Sequence, residues 1–126
     1  MTVLDASAVL ALMRAEPGAA RVAAALRGST IGAANLAEVI GKVVDIGGDA
    51  LQARRRLEAA GVVVEPVTAE DALLAGAMRA LDGGKTLSLG DRLCLALTVR
   101  SSPAAVLTSD REWALLDLPI SVRLIR

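Results

Sequence analysis

Thr2-Val3-Leu4-Asp5-Ala6-Ser7 is the stretch that decides the fold. Thr2 to Leu4 favour extended structure and read as a short buried strand. An apolar helical run, Ala6 to Met13, begins directly after Asp5. A strand that ends in an acid just before a helix puts that acid at the carboxyl edge of a sheet, where open α/β sheets bind their ligands. Taken alone, Asp5 has a plainer role as a helix N-cap, which strand-to-helix turns favour. The rest of the chain has to choose between the two.

Working outward, strands and helices alternate. The first helix is expected to reach about Ala15, where Glu16-Pro17-Gly18 breaks it, and a second follows to about Arg27. Ser29 to Ala33 reads as a strand. Asn35-Leu36-Ala37-Glu38 has capping-box spacing and is expected to open a helix to about Ile46. Another helix spans Asp49 to Ala60 and carries Arg54-Arg55-Arg56, which read as a solvated face. Val62 to Val64 is a strand. Thr68 to Asp71 is a second capping box, opening a helix to about Leu81. Gly84-Lys85-Thr86 resembles the end of a phosphate-binding loop, but Arg79 stands where its first glycine is required, and a helix precedes it. Ser88 to Asp91 is a third capping box, opening a buried helix to Arg100. Ala104 to Leu107 and Ser121 to Ile125 are the last strands, with a short helix through Trp113 between them. No linker, repeat or low-complexity segment interrupts residues 1–126, so a single domain is expected, with a parallel sheet covered on both faces.

Composition narrows the chemistry. The chain has 126 residues, 54% of them apolar, and equal numbers of basic and acidic residues, 14 each. A nucleic-acid partner would therefore need a local basic patch rather than bulk charge. The absence of histidine excludes Ser-His triads, His acid–base pairs and His-ligated zinc. The one cysteine, Cys94, cannot form an internal disulfide or a cysteine-cluster metal site, and reads as a buried thiol in a reducing cytosol. Any acid–base or metal chemistry falls to carboxylates, which suit hard cations such as Mg²⁺ or Mn²⁺. With Trp113 as the only aromatic, base stacking on an aromatic platform is nearly unavailable. There is no basic-then-apolar leader, and the apolar runs are too short to span a bilayer, so a soluble, cytoplasmic protein without membrane contact is expected.

Topology then gathers the acids. In right-handed crossovers, a helix that directly follows a strand starts at the carboxyl edge of the sheet. That places Asp5, Glu38 and Asp110 at this edge, and Asp91, at the start of the helix leading back to a strand, beside them. Each acid alone has a capping or dipole role open to it. Four carboxylates at one edge repel one another and raise their own pKa values, an arrangement that a cation would relieve.

Four segments carry a resemblance. These are Val3-Leu4-Asp5-Ala6-Ser7-Ala8-Val9-Leu10-Ala11-Leu12, Asn35-Leu36-Ala37-Glu38-Val39, Leu87-Ser88-Leu89-Gly90-Asp91-Arg92-Leu93-Cys94-Leu95-Ala96-Leu97 and Leu107-Thr108-Ser109-Asp110-Arg111-Glu112-Trp113. Together they closely resemble the PIN-domain family, nearest to the VapC-type toxins of bacterial toxin–antitoxin pairs. The third segment is the most specific. The family's motif acids map onto Asp5, Glu38, Asp91 and Asp110, the same four that topology gathers. The resemblance implies a three-layer α/β/α fold with a central parallel sheet of four to five strands, the first strand in the middle. It also implies a Mg²⁺- or Mn²⁺-dependent endoribonuclease, with a cognate VapB-type antitoxin and a homodimeric state. Asp5 and Asp91 are expected as direct metal ligands. Glu38 and Asp110 are left as ligands, holders of metal waters or positioners of the nucleophile.

Around the acids, Ser7 and Thr108 are candidate supporting hydroxyls, with capping as their plainer role. Arg92, Arg111 and Arg14 are candidate contacts to RNA phosphate, with ordinary surface arginine as the alternative. Lys42, four residues after Glu38, has salt-bridge spacing with it. An apolar groove between the early helices would suit an antitoxin helix. Three rivals are weaker. A receiver-like domain lacks its late lysine, an aspartyl phosphatase lacks its second Asp because Ser7 stands there, and an inactive PIN-like scaffold would not need all four acids.

Overall fold

The computed structural model describes residues 1–126. Five short strands, β1 (Thr2–Leu4), β2 (Thr30–Gly32), β3 (Val63–Glu65), β4 (Ala105–Thr108) and β5 (Ser121–Leu124), form one sheet in the order β3-β2-β1-β4-β5. Every pairing is parallel, and β1 is central, as the resemblance implies. Six α-helices flank the sheet: α1 (Ala6–Met13), α2 (Ala19–Ala25), α3 (Ala33–Asp45), α4 (Ala50–Ala59), α5 (Ala69–Ala77) and α6 (Leu89–Arg100). None is long and apolar enough to cross a membrane.

The two-residue period of the strands splits the interior into two cores. Leu4, Ile31 and Leu107 point to one face and pack with Val9, Val22, Val39 and Leu57 of α1 to α4. Val3 and Val106, their neighbours along the chain, point the other way, to Ala75, Cys94, Leu95 and Trp113. With both faces covered, the central strands are apolar at nearly every position, as buried parallel strands are. Arg54, Arg55 and Arg56 are solvent-exposed, and Cys94 is a buried free thiol, both as expected.

Several boundaries differ from the sequence reading. The first helix stops at Met13 rather than Ala15, and Ala15 takes a left-handed φ of 52°. Gly18, also left-handed, lies so close to the Ile125 carbonyl that a Cβ would collide with it. The α5 helix stops at Ala77 and tightens into a 3₁₀ turn over Met78–Ala80. The Asn35 capping box is not formed: Gly32 occupies the N-cap of α3 and Asn35 lies inside the helix. The other two boxes are complete, Thr68 with Asp71 and Ser88 with Asp91.

Asp71 has a second task. It is 3% exposed, and Arg100 at the end of α6 donates to both its oxygens, at 2.8 and 3.0 Å. Burial alone would raise the Asp71 pKa, but the Arg100 and Thr68 hydrogen bonds and the Arg100 charge outweigh it and hold the carboxyl below its usual value. The pair ties α5 to α6, the helix that carries Asp91. Removing one partner of a buried pair costs about 3–5 kcal/mol, but the Arg100 side chain is 33% exposed, so solvent screens part of the interaction. Asp71→Asn is therefore expected to lose about 1–3 kcal/mol at neutral pH. Because the folded pKa is lowered, this stability is fully present above the unfolded value of about 4 and is lost as pH falls through the folded value. Thermal melts of both proteins should thus differ at pH 7 and converge only as pH falls through the lowered Asp71 value, below the usual carboxylate range; a gap that persists once Asp71 is protonated would assign the loss to packing instead.

Candidate metal centre

Asp5 follows β1, and its backbone N–H donates to the Leu107 carbonyl at 3.0 Å, extending the β1–β4 ladder by one step. The residue is 5% exposed. It occupies the N-cap position of α1, yet its side chain makes no capping hydrogen bond. Two hydroxyls instead donate to the same carboxylate oxygen, Oδ2: Ser7 Oγ at 2.6 Å and Thr108 Oγ1 at 2.8 Å. Each hydroxyl is itself fixed by a backbone N–H. Ser109 donates to Ser7 Oγ and Asp110 donates to Thr108 Oγ1, both at 3.0 Å. The fourth strand runs one residue further than expected, and that last residue is Thr108. Parallel pairing of Leu4 with Leu107 then carries the Thr108 hydroxyl to Asp5.

Burial pushes the Asp5 pKa up, and the nearby charge of Asp91 adds to the rise; the two hydroxyls and the Ala6 amide oppose it without cancelling it. Glu38 is raised as well, first by desolvation, then by the charges of Asp5 and Asp91, against a lowering hydrogen bond from Asn35. Its residue surface is open to solvent, but its carboxylate lies against the backbone of Gly90, where a Cβ would collide with Oε1. Asn35, 1% exposed, donates to Glu38 Oε1 at 3.2 Å and to the Gly90 carbonyl at 3.1 Å. Asp91 sits half-buried at the first turn of α6, where one oxygen accepts from the Ser88 N–H at 3.0 Å.

Asp5, Glu38 and Asp91 thus share one electrostatic environment. Asp110 stands beside it. Its carboxylate caps a short 3₁₀ segment, Arg111–Leu115, by accepting from the Glu112 N–H at 3.0 Å, and only its backbone reaches the Thr108–Asp5 network.

The basic residues do not neutralise these acids. No lysine or arginine side-chain nitrogen lies within 4.0 Å of a carboxylate oxygen of any of the four; the ion pairs of the chain involve Glu16, Glu58 and Asp71. Lys42 does not pair with Glu38, which accepts from Asn35 instead. Arg92, although it follows Asp91, donates to the Ala75 carbonyl at 2.8 Å, so it braces α6 against α5. Arg14 pairs with Glu16 at 3.7 Å. Arg111 is exposed and has no ion pair.

The donor set fits a hard divalent cation. The oxygens are carboxylate oxygens, the charge of Asp91 helps raise the pKa of Asp5 and the charges of Asp5 and Asp91 help raise that of Glu38, and no side-chain cation offsets them. No three of them form a ready-made cage for a bare ion. That spread is compatible with Mg²⁺, which dehydrates reluctantly and is usually held by one or two carboxylates and several waters. Beside Glu38, an open groove of about 450 Å³ runs between α3 and the start of α6, lined by Ala34, Ser88, Leu89, Gly90 and Leu93. A second cavity of about 450 Å³ lies away from the acids, against α1, α3 and α4, with Leu12, Met13, Val43, Ala53, Arg56 and Leu57 in its wall.

Residues 2–118 match the family model of the PIN domain. A search of curated proteins finds no match to the chain. Several solved structures share its fold. A chain of a toxin–antitoxin complex from Klebsiella pneumoniae is 17% identical with a TM-score of 0.78, over 100% of this chain and 98% of that one. FitAcB from Neisseria gonorrhoeae is 20% identical with a TM-score of 0.66, over 96% of each. FitAB bound to an IR36 DNA fragment is 19% identical with a TM-score of 0.69, over 99% of this chain and 95% of that one. At these identities the likeness is one of fold.

Proposed function

The chain belongs to the PIN-domain family, and from that premise we propose that it is a single-domain, Mg²⁺- or Mn²⁺-dependent endoribonuclease, the cytoplasmic toxin of a toxin–antitoxin pair. The observation that carries the reading is Asp5. It is a buried carboxylate held by two hydroxyls on one oxygen, surrounded by the charges of Glu38 and Asp91, and it has no cationic partner.

In this reading Asp5 and Asp91 hold the ion. When bound, the ion supplies hydroxide from water near neutral pH and neutralises charge on the scissile phosphate. Ser7 and Thr108 fix the Asp5 plane through Oδ2, and no side chain hydrogen-bonds to Oδ1. Glu38 would hold a water of that ion, so its carboxylate adds to metal affinity, and with its raised pKa it is suited to take a proton from that water at a carboxylate oxygen. Asp110, whose carboxylate accepts from the Glu112 N–H, would orient a water of the ion. The open groove beside Glu38 has no aromatic side chain in its wall, so RNA would be held there by shape and backbone contacts rather than by stacking. Exposed Arg111 is the arginine best placed to meet a phosphate.

The partner reading rests on the second cavity and on the toxin–antitoxin neighbour. Its apolar wall, with Met13 42% exposed, suits the apolar face of an antitoxin helix, and Arg56 at its rim suits an acidic residue on that helix. A homodimer is part of the same proposal.

The test is cleavage of total cellular RNA by pure protein, with new ends mapped. Chelator is expected to stop cleavage and Mg²⁺ or Mn²⁺ to restore it. Cleavage that continues in excess chelator would remove the metal mechanism.

A further inference from the structure

We propose that Asn35 and Gly90 are positioning residues that hold the Glu38 carboxylate against the start of α6, and so set where Glu38 stands relative to Asp91. The inference rests on reading the acids as a metal site.

Glu38 lies in the second turn of α3, and its helical neighbour at the ion-pair spacing is Lys42. It turns instead to α6. Two features of the structure account for that choice. The first is Asn35. Its amide nitrogen donates to Glu38 Oε1 and to the Gly90 carbonyl, which joins α3 to α6 at a single atom. Both partners are acceptors, so the orientation of the amide follows from chemistry. Its oxygen is consequently the atom left over. That oxygen is buried without a partner and faces Gly32, where a Cβ would stand 3.2 Å from it. An unpaired buried acceptor is unfavourable and calls for an explanation. A simple α3–α6 contact would be served by an apolar side chain at this position. The two donors explain why an amide is present.

The second feature is Gly90. Its φ is not left-handed, so conformational freedom is not the reason for a glycine there. It lies in the first turn of α6, where alanine is the better helix former. The volume a Cβ would fill is occupied by the Glu38 carboxylate. Gly90 is thus small because Glu38 rests on it, one residue before Asp91. Donor on one side and missing Cβ on the other place Glu38 at the metal edge.

Groups that orient metal-binding side chains typically change metal affinity by roughly 10- to 100-fold when removed. The experiment measures Mn²⁺ binding to metal-free protein by electron paramagnetic resonance of the free ion, beside thermal melts in chelator. The proteins are wild type, Asn35→Ala, Gly90→Ala, Glu38→Ala and the double variant Glu38→Ala/Gly90→Ala. Asn35→Ala and Gly90→Ala are each expected to weaken Mn²⁺ binding by roughly 10- to 100-fold. Gly90→Ala should keep its fold, because the displaced group is the mobile end of a side chain. In the double variant the Gly90 change should cost nothing beyond Glu38→Ala, since contacting residues that act as one unit are not additive.

Wild-type affinity in Gly90→Ala, or losses that multiply in the double variant, overturns the proposal. If Asn35→Ala does not fold, the Gly90 comparison decides alone. If Glu38→Ala weakens Mn²⁺ binding and Gly90→Ala does not, only the positioning role falls. If wild type binds no Mn²⁺, the metal reading falls and this inference with it; if it binds Mn²⁺ that Glu38→Ala does not weaken, this inference alone falls.

Discussion

Asp5→Asn is expected to keep the fold and lose RNA cleavage by at least about 100-fold, the scale of removing a group that stabilises charge at the reaction centre. Asparagine presents one carboxamide oxygen to the hydroxyls of Ser7 and Thr108, both of which donate to Oδ2 of Asp5, so the local network can persist. The charge cannot. Asp5 is raised above its ordinary pKa by burial and by Asp91. A carboxyl raised on folding binds its proton more tightly in the native state, so native stability falls as pH rises through the window between the unfolded and folded pKa values. At neutral pH the ionised form is therefore a cost to the fold, and the neutral variant should melt at the same temperature or higher in chelator. Added Mg²⁺ should stabilise wild type more than the variant, because a ligand stabilises in proportion to occupancy. A pure N-cap predicts little change in any of these, since asparagine caps as well as aspartate. Melts with and without Mg²⁺, beside a cleavage assay, separate the two. Wild-type cleavage by Asp5→Asn would return the residue to a purely structural role.

How far the chain could be read before its fold was known depended on how local each signal is. Thr68 with Asp71 and Ser88 with Asp91 were legible because a capping box closes within one turn, and both are complete. The sheet was legible because Val3 to Asp5 and Val106 to Thr108 are apolar runs that stop at polar residues, and a parallel ladder aligns such stops. Asn35 was misread because its spacing to Glu38 imitates a capping box, while its decisive partner, Gly90, lies 55 residues away. The glycine itself gave no local hint, since its reason is a side chain from another helix. Arg92 illustrates the same limit. Adjacent residues on a helix point in different directions, so following Asp91 turned the arginine to Ala75 on α5 rather than to the acids. Lys42 had the right spacing to Glu38, but the acid had a closer engagement with α6. Ser7 and Thr108 were visible as candidates, yet only the β1–β4 register shows that both hydroxyls converge on one oxygen.

That convergence makes Thr108 the next most informative position. Thr108→Val is close in shape and replaces a residue that is 0% exposed, so the cavity term is small, but valine removes a hydroxyl with two partners. The Asp110 N–H loses its acceptor and Asp5 loses a donor. Leaving a buried donor unpaired costs about 1–3 kcal/mol; the Asp110 amide is only part-buried, so a loss of about 1 kcal/mol in chelator is expected from it. The functional effect is separate. Without Thr108 the Asp5 pKa should rise further, since this hydroxyl is among the groups that lower it, and the carboxylate is freer to rotate. Metal and protons compete for a carboxylate, so the Mn²⁺ concentration for half-maximal cleavage should increase roughly 10- to 100-fold, most steeply toward acidic pH. Thr108→Ser keeps the hydroxyl and gives up only the methyl group. It should therefore recover most of the metal affinity while remaining less stable than wild type, because a buried methyl has been lost. Measuring Mn²⁺ dependence at two pH values for both variants separates the hydroxyl from the packing. If serine and valine lose metal affinity alike, the effect belongs to a general disturbance of the strand end, and the Thr108–Asp5 hydrogen bond has no part in holding the ion.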